Sequence, residues 1–84
     1  MKLPHTAAAL AVFDANAAEI DARFDADLEA GGGDARVVAW QAEVAEAEKA
    51  VREAFFVDCQ EQDIPNSHDH CMLVSLRTLR EWAD

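Results

Sequence analysis

Between Asp34 and Phe56 the apolar residues Val37, Trp40, Val44, Ala47, Val51 and Ala54 recur at alternating steps of three and four, with Phe55 as one extra neighbour. That spacing draws a single stripe along an α-helix; a strand would alternate in twos. A second stripe of the same kind precedes it: Leu10, Phe13, Ala17, Ile20, Phe24 and Leu28. The pattern predicts a first helix over residues 6–30, with Thr6 as its N-cap. Gly31-Gly32-Gly33 cannot sustain it, and Gly31 suits a left-handed C-terminal cap. Asp34 then caps a second helix, over residues 34–59, which frays from Phe56 onward. Residues 60–66 form a loop around Ile64-Pro65, and Asn66 or Ser67 caps a third helix over 67–83. That helix carries Met72, Leu76, Leu79 and either Trp82 or Ala83 on one side, widened by Leu73 and Val74. A connection as short as the glycine triplet joins antiparallel neighbours. The predicted fold is all-α: one domain, an antiparallel helical hairpin with a shorter third helix, a small helical bundle.

Size sharpens this picture. With 84 residues there is room for one core, and a domain this small buries only about 60% of its unfolded surface. The hydrophobic fraction is 51%, but much of it is alanine. What remains fills a thin seam between helices and leaves no material for a deep, walled pocket. The longest apolar run, Ala7 to Phe13, falls short of the ~20 residues of a membrane span. Lys2, that run and Ala15-Asn16-Ala17 imitate a secretion signal, yet the helical stripe continues straight through the supposed cleavage point. A cytoplasmic protein is expected.

Charge narrows the function further. Seventeen acids against seven bases give a formal net charge of −10. Nucleic acid and anionic membranes are poor partners for such a chain, because both need clusters of Lys or Arg. A basic protein surface is its complement. The acids are not spread evenly. In the second helix Glu48 precedes Arg52 by four, Lys49 precedes Glu53 by four and Glu46 precedes Lys49 by three, spacings that pair opposite charges. In the first helix Glu19, Arg23 and Asp27 are arranged that way, whereas Asp21, Asp25 and Glu29 stand four apart with no base among them. Asp14 lies on the same side. The stripe Asp14, Asp21, Asp25, Glu29 works mildly against helix formation, and reads either as a partner-binding surface or as a solvated face whose repulsion is tolerated. Its acids lie ~6 Å apart along the axis, too sparse to imitate duplex DNA at one charge per ~1.7 Å.

Candidate chemistry is meagre. Cys59, His68, His70 and Cys71 have metal-ligand side chains, but the spacing C-x8-H-x-H-C lacks the close cysteine pair of zinc sites. A Cys59–Cys71 disulfide would fit the loop geometrically, but an intracellular chain keeps thiols reduced, so two buried or half-buried thiols are expected, with no metal and no cofactor. His68, Asp69, His70 and Cys71 also lack the cleft and oxyanion hole that nucleophilic catalysis requires, so the chain is read as non-enzymatic. Phe55, Phe56 and Val57 cover more than one side of a helix. Either they pack on both neighbouring helices, or Phe55 and Phe56 join Trp82 in an apolar interface.

In its whole-chain profile of length, acidity, unpaired acidic stripe and missing catalytic motif, the chain resembles the small acidic helical inhibitors encoded by bacteriophages, such as anti-CRISPR proteins. The resemblance implies a protein that blocks a nucleic-acid-handling complex by occupying its basic surface; it assigns no residue roles. The alternative is a homodimeric helical-bundle adaptor built on Phe55, Phe56 and Trp82. A remoter one is a small zinc-binding domain on Cys59, His68, His70 and Cys71.

Overall fold

The computed structural model describes residues 2–83, all of whose regular elements are helices. Helix α1 (Pro4–Glu29) and helix α2 (Gly33–Glu61) form the hairpin, and α3 (His68–Met72) and α4 (Leu76–Ala83) lie against one half of it. The molecule is elongated, 49 × 22 × 15 Å. Its one continuous core gathers Leu3, Leu10, Val51, Phe55, Cys59, Cys71 and Leu79 at the proximal end, where α3 and α4 close over the two long helices. Beyond that end the hairpin is only two helices thick, and of its apolar side chains Ile20 alone is buried there.

Four boundaries differ from expectation, three for reasons close by in the chain and one for a contact across the hairpin. Thr6 is not the cap of α1. The helix begins two residues earlier at Pro4, whose fixed φ suits a first turn, and Leu3 at the capping position offers no side-chain acceptor. The cap comes instead from α2: Asp58 accepts the backbone N–H of His5 (3.1 Å) and of Thr6 (2.8 Å), and also the Thr6 hydroxyl at 2.7 Å. Asp34 is not a cap either. It sits inside the first turn of α2, which starts at Gly33, and its charge still faces the positive end of the helix.

At the other end α2 does not fray after Phe56 but runs on to Glu61. Its last carbonyls are closed by Ile64 N–H to Cys59 O (2.8 Å) and Asp63 N–H to Gln60 O (3.3 Å). Asp63 adopts the left-handed conformation this closure needs, φ 55°, which aspartate tolerates better than most residues. The same closure ends α1, with Gly32 N–H on Asp27 O, Gly31 N–H on Leu28 O and Gly31 at φ 91°.

The expected third helix is two. Ser67 caps α3 by accepting the His70 N–H, as expected, but the chain leaves the helix at Leu73 and starts again at Leu76. Ser75 accepts the Thr78 N–H at 3.2 Å and so caps α4, while Arg52 on α2 takes the Val74 carbonyl at 2.8 Å. The break also turns Leu73 outward, 84% exposed, rather than widening the apolar face.

Candidate functional site

Each arginine has a carboxylate partner in its own chain. Arg23 pairs with Glu43, Arg36 with Asp27, Arg52 with Glu48, Arg77 with Glu81 and Arg80 with Asp14. Three of these cross between helices, and they replace the spacings read along single helices. Arg23 reaches across the hairpin to Glu43 instead of serving Glu19 and Asp27, and Glu53 bonds His68 at 2.7 Å instead of Lys49. Only Glu48–Arg52 is the expected in-helix pair. Side chains on a facing helix compete with those one turn away, and sequence spacing sees only the latter.

This census reshapes the acidic stripe. Asp14 leaves the uncompensated set: the Arg80 guanidinium forks onto both its oxygens, 3.0 Å at one of them, and holds the carboxyl below the usual carboxylate range. Asp21 accepts the Trp40 indole N–H at 2.9 Å, a neutral donor that leaves its charge in place. Asp25 and Glu29 are exposed, and among the described residues neither has an ion-pair partner. Glu19, Asp34 and Glu46 on the same distal half are likewise outside these pairs. Between Asp14 and Lys49 ten acids stand against three bases, so the excess negative charge sits on the part of the molecule with the least core.

That part also exposes apolar surface. Phe24 and Trp40 stack across the hairpin at 5.1 Å between centroids, both half-buried, and Leu28 is 44% exposed. On the opposite face a shallow groove of about 560 Å³ runs over Ile20, between Glu19 and Arg23 on α1 and Glu43 and Glu46 on α2. The stripe along α1 was readable from spacing; the contribution of Glu46 on α2 was not, because its spacing to Lys49 reads as an ion pair.

The apolar trio divides. Phe55 is a core residue, 1% exposed, and stacks on Trp82 at 5.8 Å, so it is not available as an interface with another chain. Phe56 is half-buried and meets the His68 ring in a T-shaped contact, and Trp82 keeps 40% of its surface exposed. The four ligand-type residues divide too. Cys59 and Cys71 are free thiols inside the core, whereas His68 turns out to Glu53 and His70 is exposed on α3. Burial, the neighbouring Cys59 and, more weakly, Glu53 push the Cys71 thiol up to about 11.

A different trio does come together. Ligand atoms of His5, Asp58 and Glu61 lie within 4.8 Å of one another, the only such group among the described residues. The oxygens of Asp58 are engaged in capping α1, and His5 Nε2 lies 2.8 Å from Glu61. The trio is thus accounted for as the clasp between the start of α1 and the end of α2. No helix is long and apolar enough to cross a membrane among the described residues. Comparison with protein-family models, curated proteins and solved structures finds no match.

Proposed function

We propose that the protein is a non-enzymatic binding protein, an acidic inhibitor of the anti-CRISPR type that masks a basic, nucleic-acid-handling surface of a partner complex. One observation carries this reading. All five arginines are consumed by intrachain pairs, so among the described residues the negative charge left over on the distal hairpin finds no arginine partner. Asp21, Asp25 and Glu29 lie ~6 Å apart along α1. That is within one Debye length, about 10 Å at 0.1 M salt, so a row of Lys or Arg meets them as one charged edge. Asp14 is not a contact in this proposal, since Arg80 already holds it.

The homodimer reading loses its central residue, because Phe55 fills the protein's own core. The test is displacement of labelled nucleic acid from an RNA-guided nuclease complex, followed by fluorescence anisotropy at low and high salt. Wild type is expected to displace it steeply better at low salt, and the triple variant Asp21→Asn, Asp25→Asn, Glu29→Gln is expected to lose most of that effect. Equal displacement by both proteins would overturn the role of the stripe. Failure of both to displace would remove this class of partner.

A further inference from the structure

The way α4 sits on the hairpin points to the shape of the partner, on the premise that the distal half binds a basic surface. Helix α4 is itself a short amphipathic helix. Its Leu79 is buried in the core, and the next residue, Arg80, forks onto Asp14 and lies 5.9 Å over the Phe13 ring. The outermost ties of the covering segment are Arg80 to Asp14 on α1 and Val74 to Arg52 on α2. Beyond them the same face of the hairpin continues.

At 100° per residue, Asp14, Asp21 and Asp25 share one side of α1 within about 40°. Ala17, Phe24 and Leu28 run beside them. On α2, steps of four from Arg52 lead through Glu48 to Val44, with Trp40 one turn on. The apolar floor and the acidic edge that α4 uses therefore recur past its end, half-buried or exposed: Phe24, Trp40 and Val44 as floor, Asp21 and Asp25 as edge.

We propose that this uncovered face receives an amphipathic helix of the partner, with arginines or lysines along one flank, docked as α4 is docked. Its apolar stripe lies over Phe24, Trp40 and Val44, and its cations repeat at Asp21 and Asp25 the pairing that Arg80 makes with Asp14. This is helix-in-groove recognition. From Ala17, past the Arg80–Asp14 pair, to Glu29 the face is ~18 Å long, which a helix of about twelve to fifteen residues spans. A second copy of the same face is a poor occupant, since it would set acid against acid.

The experiment uses the whole protein and a synthetic amidated peptide of about fifteen residues, with leucines on one helical face and arginines flanking them. A control of the same charge carries a central proline that breaks the helix. The readouts are the Trp40 indole N–H resonance in the wild type and, independently, the emission of Trp40 in a Trp82→Phe variant. The helical peptide is expected to shift both saturably, to bind about tenfold more weakly to Asp21→Asn/Asp25→Asn, and to outcompete the proline control. Equal, stripe-dependent binding of the proline control would overturn the helical partner and leave the basic one standing. Helical binding indifferent to Asp21 and Asp25 would overturn the pairing proposed here. Binding of neither peptide would sink both the docking mode and the basic-partner reading.

Discussion

Replacing Asp58 with alanine strips α1 of a cap supplied from across the hairpin and leaves the buried Thr6 hydroxyl and two N–H groups without their acceptor. A lost cap and an orphaned buried donor together cost about 2–3 kcal/mol, which for a domain of this size lowers Tm by roughly 10–20 °C; thermal unfolding followed by circular dichroism reads it directly. Thr6→Ala keeps the carboxylate and should lose about 1 kcal/mol. Asp14 sets up a pH dependence of known sign. Its hydrogen bond to Arg80, aided by the Arg80 charge, lowers the carboxyl against a smaller opposing effect of burial, so the folded chain holds the proton less tightly than the unfolded one. The contribution is present at neutral pH and is lost as pH falls below about 4. Wild type should therefore be the more stable near neutrality, and its advantage over Arg80→Ala should shrink as the solution is acidified through that range. A gap that is constant with pH would show that Arg80 stabilises by packing on Phe13 instead.

The helices themselves were legible where a local signal specified them. Steps of three and four drew both long helices, and the glycine triplet announced the turn that Gly31 makes at φ 91°. One boundary that could not be read depends on a residue distant in the chain. The cap of α1 is residue 58, and no spacing near Pro4 reveals it. The break between α3 and α4 had a local sign in Ser75, but it was masked by an apolar period that runs through it unbroken from Met72 to Leu79. Ser75 is predicted to be what enforces that break. Its hydroxyl accepts the Thr78 N–H, so Ser75→Ala should destabilise the protein by about 1 kcal/mol, measured by urea unfolding. The candidate site was half legible for the same reason. The acidic stripe follows from spacing along α1, whereas which of its members are already neutralised depends on partners in α4 that only the folded chain brings near.

Across the whole molecule, core and charge are segregated. The proximal end holds the shared core under α3 and α4, and the distal end holds most of the unpaired acids with only Ile20 buried among its apolar residues. Local stability should follow that division. Hydrogen exchange is expected to protect amides around Val51, Phe55 and Cys59 most, and those between residues 22 and 44 far less, with the contrast growing at low salt as acids repel one another. Uniform protection along α2 would count against a weakly held distal half. Net charge was available from composition, but its uneven settlement was not, because the arginines choose partners in space. The bond between Asp58 and the first turn of α1 has one more consequence, and it concerns time. On the ribosome α1 emerges before α2, with its opening turn uncapped and its proximal face bare. It stays so until the whole of α2 up to residue 58 has followed. The hairpin is thus fastened last at the earlier-made end of its first helix, and a nascent chain arrested before Asp58 would carry an α1 whose first turn readily unravels.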